Sequence, residues 1–190
     1  MEEKSLFSVT TTDIAAMGIG SALYAALNVV FNIFYIPLAQ LVTLRPSVVI
    51  PMFFGFVFGP WVGFVTGFVG NTISDAISWG GFWWTWDVGN GLLGLVCGLA
   101  PIFFAIKDEE LGSSKSLVIS IIFAVLSAAV GMGFASYMDL ALGYGVYTFE
   151  QATTWLFLPS FVTDAVFGAV LLPVFLKAYA SAMAGRTRAG

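Results

Sequence analysis

Along nearly the whole chain, long apolar runs alternate with short polar or Gly/Pro breaks, and this pattern predicts six helices. Helix 1 runs from about Asp13 to Phe34, with Thr11 or Thr12 as its N-cap. Helix 2 is short, about Pro46 to Phe58, and the pair Gly59–Pro60 ends it. Pro60 opens helix 3, about Trp61 to Trp79, because a proline at the first helical position loses no hydrogen bond. The run GGFWWTWDVGNG reads as a loop that passes into helix 4, about Val88 to Ile106. The stretch KDEELGSSK is the one strongly polar linker before helix 5, about Ser116 to Tyr137. MDLALGYGVYTFE leads into helix 6, about Gln151 to Tyr179, and the chain ends in a basic tail. Apolar helices of this length suit a bilayer, which takes roughly 20 residues to cross.

Composition sharpens that reading to an all-α membrane protein, one bundle of six transmembrane helices. Hydrophobic residues make up 59% of the 190-residue chain and charged residues only 9%, against about a quarter charged in a soluble domain. Charge placement then sets orientation. With both termini cytoplasmic, that side holds Lys4, Lys107, Lys115, Lys177, Arg186 and Arg188, and the outer side holds Arg45 alone. The N-terminus is too acidic and too weakly apolar for a cleaved signal peptide.

The chain has no histidine and one cysteine, Cys97, in an apolar helix. That removes imidazole metal ligands, Ser–His pairs and an internal disulfide, and neither metal nor cofactor is expected. With no basic stripe, nothing points to nucleic acid.

Small residues recur at close-packing spacing: Gly63, Gly67, Gly70 and Ser74 in helix 3, Gly91, Gly94 and Gly98 in helix 4, and Ala124, Ala128, Gly131 and Ala135 in helix 5. Such rows let helix backbones approach one another. Helix 1 carries two, Ala16 with Gly20 and Gly18 with Ala22 and Ala26; one row can face inward while the other meets a partner.

Polar groups are distributed unevenly with depth. Asn28 and Asn32 fall in the outer half of helix 1, Asn71 near mid-membrane and Asp75 in the outer half of helix 3, and Asn90 near the outer end of helix 4. Helix 6 brings Ser160 and, near the midplane, Asp164. Asn71, Asp75, Ser78 and Trp79 share one helical face. A carboxylate at this depth is costly and must face a cavity or a partner, so Asp75 and Asp164 read either as structural acids or as pocket residues. Several helices placing polar groups at one level favour a small-molecule pocket.

Above that level lie Phe82, Trp83, Trp84 and Trp86. Tryptophans at this boundary fit an interfacial belt; gathered in one loop, they also fit a stacking wall for a flat ring, oriented by Asp87 and Asn90. Tyr137, Tyr144 and Tyr147 are expected to close the other side. Asp87, Asp139 and Glu150 against Arg45 give a negative mouth, suited to a neutral or cationic solute, or to one whose single anionic group meets Arg45.

Six helices in this length, with FGPWVGFVTGFVGNTISD across helices 2 and 3 and WDVGNGLLGLVCGL opening helix 4, resemble the substrate-binding S components of energy-coupling factor (ECF) vitamin transporters, most closely the riboflavin-type group. The likeness covers roughly residues 12 to 180. It implies capture of a vitamin from outside a prokaryotic cell membrane, delivery inward by toppling, and association with a transmembrane T component and two cytoplasmic ATPases. It also implies a small-residue contact for the T component on helix 1, among Ala15, Ala16, Gly18, Gly20, Ala22 and Ala26. Ala15 is followed four positions later by Ile19, whereas Ala16–Gly20 and Ala22–Ala26 fit small-xxx-small. The loop YIPLAQLVTLRPS, with Arg45, is expected to cover the pocket. Consistently, no GxxxxGK[ST] motif is present. Competing readings are a self-sufficient carrier or channel, a structural membrane subunit, and an aspartic intramembrane protease using Asp75 and Asp164; for the last, Asp164 sits in VTDAVFG rather than in a GxGD motif.

Overall fold

The computed structural model describes residues 9–34 and 42–189, with side chains to residue 185. Six helices account for them: α1, Thr11–Phe31; α2, Val49–Phe58, led in by a 3-10 turn, Pro46–Val48; α3, Pro60–Trp79; α4, Trp84–Phe103; α5, Ser114–Leu142; and α6, which starts at Phe149–Gln151, passes through a π-helical stretch, Ala152–Phe157, and continues as Leu158–Ala189. Of these, α1, α4, α5 and α6 are long and apolar enough to cross a membrane, and Pro46–Phe58 is a shorter apolar helix. α3 has the length, but Asn71, Thr72, Ser74, Asp75 and Ser78 in its second half lower its hydropathy.

The helix ends follow from local chemistry. Thr10 caps α1 through a capping box with Asp13: the Asp13 N–H donates to Thr10 Oγ1, and Thr10 N–H donates to Asp13 Oδ2 at 2.8 Å. Gly80 ends α3 in the left-handed region at φ 68°, and Gly143 ends α5 at φ 70°. The π stretch of α6 precedes Pro159, which has no N–H to give the Trp155 carbonyl, so the helix widens there.

Several expected boundaries move: α1 ends at Phe31 and α4 at Phe103, each three residues early, and larger changes follow in α4, α5 and α6. The aromatic run is not a loop up to Val88: α4 begins at Trp84, so Trp84 and Trp86 sit in its first turn, with Asp87 favourably placed against the helix dipole. α5 continues past Tyr137 to Leu142, because Asp139, which reads as a linker residue, is buried and bonded to α4. α6 starts at Phe149, two residues earlier than expected, capped by Thr148, and runs ten residues beyond Tyr179.

Glycines set the packing. α3 and α4 touch backbone to backbone: a Cβ on Gly63 would lie 2.5 Å from the Gly94 carbonyl oxygen, and one on Gly67 would collide with the Asn90 carbonyl. α4 meets α5 in the same way, a Cβ on Gly89 falling 2.7 Å from the Gly131 carbonyl. Close approach of this kind compensates for the weak hydrophobic drive between helices in lipid. The outward faces are apolar instead of polar; Val162, Val166, Val170 and Val174 form an exposed row along α6. Cys97 is buried and bonded to Ser127, as packing.

Candidate functional site

The buried polar groups connect helix to helix near one end of the bundle, the end where α1 and α3 finish and α4 begins. Asn71 of α3 is the hub. Its Nδ2 donates to Asp75 Oδ2 at 3.0 Å and to Asp87 Oδ1 at 2.8 Å, and its Oδ1 accepts from Asn28 Nδ2 at 3.1 Å. Ser47, in the turn before α2, donates to Asn28 Oδ1. One turn further along α1, Asn32 Nδ2 donates to Ser74 and Ser78 of α3. Tyr24 donates to Asn90 Oδ1 at 2.6 Å, and Asn90 donates to the Trp86 carbonyl. Between α4 and α5, Thr85 Oγ1 and Trp86 Nε1 each donate to one oxygen of Asp139, at 2.6 and 2.7 Å. In an apolar surround, each of these bonds removes a desolvation cost that an unpaired group would carry.

Above this network opens a cavity of about 840 Å³. Five of the chain's six tryptophans line it, Trp79, Trp83, Trp84, Trp86 and Trp155, with Phe82 and Tyr144. Asn32, Thr43, Arg45, Asn71, Asp75, Asp139 and Ser160 supply its polar wall. Trp86 is half-buried, held by Asp139, while Trp79, Trp83, Trp84 and Trp155 are more exposed. The π stretch of α6 supplies Trp155 and Leu156. Leu44 N–H donates to the Phe34 carbonyl at 2.8 Å, returning the chain to the end of α1 and setting Arg45 on the cavity wall. Arg45 Nη2 lies 3.8 Å from Asp164 Oδ2 of α6, and both residues are buried. Residues 35–41, most of the expected covering loop, lie outside the described residues.

The expected site residues divide into three groups. Asn32, Arg45, Asn71, Asp75, Trp79, Trp83, Trp84, Trp86 and Ser160 line the cavity together. Asn28, Asp87, Asn90 and Asp164 are fully buried and off its lining; they support Asn71, Trp86 and Arg45 from behind. Tyr137 and Tyr147 do not close the far side. Tyr137 turns to α6, bonding Thr153 and stacking on Phe149, and Tyr147 is 76% exposed. Of the three expected tyrosines, Tyr144 alone lines the cavity. Sequence reasoning left out Thr43, Val146, Trp155 and Leu156 as wall residues. Trp155 had a legible signal, a tryptophan near the start of helix 6, but the π turn that aims it did not.

On α1, Ala16 and Gly20 are corrected as partner residues: both face inward, and a Cβ on Gly20 would lie 2.6 Å from Thr66 Oγ1. Ala15, Gly18, Ala22 and Ala26 are exposed. A second hollow, about 1020 Å³, lies at the opposite end among the start of α1, the α2–α3 turn and the end of α6. Its acidic residues are the α1 capping group Asp13 and, in the α4–α5 linker, Asp108 and Glu109, so it has no comparable convergence of buried polar groups.

Residues 8–181 match the family described as ECF-type riboflavin transporter, S component. The chain belongs to this family. Similar proteins include a UPF0397 protein of Streptococcus thermophilus, 32% identical over 85% of this chain and 88% of the relative. A UPF0397 protein of Aliivibrio salmonicida is 30% identical over 71% and 73%, and one of Streptococcus gordonii is 32% identical over 73% and 74%. As an S component, the chain is a membrane protein of the prokaryotic cell and part of a transporter, not an enzyme. The acids of this S component also do not resemble a proteolytic dyad: Asp164 faces Arg45, and Asp75 accepts from Asn71.

Proposed function

We propose that the chain captures a vitamin-like, ring-containing solute from outside the cell in the tryptophan-lined cavity, and delivers it inward with a T component and two ATPases. One observation carries this reading: five tryptophans and the polar residues of four helices converge on a single cavity at one end of the bundle. Flat rings suit such a wall, at about 0.5–1.5 kcal/mol per aromatic pair beyond area burial, and the cavity has the size of a small-molecule site. Lys107, Lys115 and Lys177 lie toward the end away from the cavity, which supports, by the positive-inside rule, the reading that both termini are cytoplasmic. The family description names riboflavin, so a flavin is the first ligand to try. The exposed row Ala15, Gly18, Ala22 and Ala26 is assigned to the T component, since small residues without an internal partner allow close helix contact.

The test is tryptophan fluorescence on the purified protein in nanodiscs. Ligand should quench the emission, and Trp84→Ala and Asp75→Ala should each weaken binding. Unchanged affinity in both variants would remove the cavity from the mechanism.

A further inference from the structure

Most polar groups on the cavity wall already have partners within the protein. Asn71 uses its whole amide, and Asp75 accepts one of its hydrogen bonds. Asn32 Nδ2 donates to Ser74 and Ser78, and both oxygens of Asp139 accept, from Thr85 and Trp86. Two wall residues differ. Arg45 is buried, and its Nε has no hydrogen-bond partner among the described residues. Ser160 is completely buried, and its Oγ has none either. The two belong to one place: Ser160 and Asp164 lie one turn apart on α6, and Asp164 stands 3.8 Å from Arg45 Nη2. The α6 face that carries Ser160 is thus the face that Arg45 approaches.

What these two groups lack is a hydrogen bond, not a counter-charge. Asp164 opposes the guanidinium, but 3.8 Å is too long for a hydrogen bond. A buried donor without an acceptor carries a desolvation cost that a ligand atom would relieve. The hydroxyls of Thr66, Ser116 and Ser136 are also buried without partners among the described residues, yet none of them lines the cavity. Among the described residues, orphan donors and open space coincide at Arg45 and Ser160.

Resting on the reading above that this cavity is the capture site, we propose that Arg45 and Ser160 are its specificity-determining residues, binding the uncharged carbonyl edge of a ring whose flat body lies against the tryptophans. Arg45 offers a rigid fork of N–H donors, and the Ser160 hydroxyl rotates to suit a second contact. Since Asp164 already faces the guanidinium, the ligand supplies acceptor atoms and needs no charge of its own. A ring without carbonyls leaves both donors buried and unpaired, which is how a site built for hydrogen bonds rejects an analogue lacking them.

The experiment is isothermal titration of the full chain in nanodiscs at pH 7, with empty nanodiscs subtracted, using two neutral three-ring probes. Lumichrome carries two carbonyls on its end ring; phenazine carries none. Lumichrome should bind the wild type at least about tenfold tighter than phenazine. Ser160→Ala should cut that preference about threefold or more, and Arg45→Met combined with Asp164→Leu should reduce it to about twofold or less. Ser116→Ala, an orphan hydroxyl away from the cavity, should leave it unchanged. The unfolding midpoint of the empty protein should not fall in Ser160→Ala, because no internal bond is lost; a lowered midpoint would mark a structural hydroxyl and overturn its assignment. Should the double variant not fold, Ser160→Ala and the wild-type ranking still decide. Equal affinity for the two probes, or a preference unchanged in both variants, overturns the donor assignment and leaves ring capture standing. Binding of neither probe overturns both.

Discussion

Arg45 Nη2 stands 3.8 Å from Asp164 Oδ2, joining the segment before α2 to the middle of α6. Asp164 is fully buried and Arg45 nearly so, which makes each the other's main compensation for lost water. Removing one partner of a buried pair typically costs about 3–5 kcal/mol, while an apolar pair of similar volume is often neutral. Arg45→Ala should therefore lower the thermal unfolding midpoint sharply, and Arg45→Met combined with Asp164→Leu should recover most of the loss. Equal midpoints for wild type and Arg45→Ala would show that the pair is not formed.

Asn71 uses its whole amide, donating twice and accepting once, across α1, α3 and α4. Asn71→Leu strips a donor from both Asp75 and Asp87 at similar volume. A destabilisation of at least about 1–3 kcal/mol is expected, the usual cost of leaving a buried polar group without its partner. Denaturant or thermal unfolding in detergent measures it, and the loss should exceed that of Ser120→Ala, whose hydroxyl donates to the Leu117 carbonyl of its own helix.

Gly67 and Gly18 make a matched comparison. A Cβ on Gly67 meets the Asn90 backbone, whereas one on Gly18 meets nothing within 4 Å. Gly67→Ala must push α3 from α4 and should cost about 1–3 kcal/mol, as overpacking does. Gly18→Ala should be near neutral in the isolated protein. Similar unfolding midpoints for the two variants would contradict the backbone contact between α3 and α4.

The outward row of α1 separates capture from transport. Ala22→Leu adds bulk on the exposed face, away from the cavity lining. Ligand affinity should be unchanged, while recovery of the T component on purification and cellular uptake should both fall. Normal uptake by Ala22→Leu would assign the partner contact to another face.

Much of this arrangement is legible in the sequence because membrane helices punctuate themselves. Gly59–Pro60 and Gly80–Gly81 mark breaks that the structure keeps, and the glycine spacings in helices 3 and 4 match the faces that meet. The polar clustering of Asn71, Asp75 and Asn32 is equally readable, since amides and carboxylates inside a bilayer must find polar partners or a cavity. What is hidden is pairing. Asp139 looks like a linker acid until Thr85 and Trp86 are found bonded to it, which lengthens α5 and starts α4 four residues early. Tyr137 and Tyr147 sit at plausible positions, but the rotation of α5, which periodicity does not fix in a uniformly apolar helix, turns Tyr137 toward α6, and Tyr147 lies in the α5–α6 connection, largely exposed.

Native mass spectrometry of the gently purified protein tests the central claim most directly, because a tightly held ligand should remain with the wild-type chain. A small-molecule adduct is expected on the wild type and on Trp61→Phe, whose ring lies at the opposite end, and it should be lost or reduced on Asp75→Ala. An adduct equally abundant on wild type and Asp75→Ala, or one lost on Trp61→Phe alone, would contradict capture in the tryptophan-lined cavity.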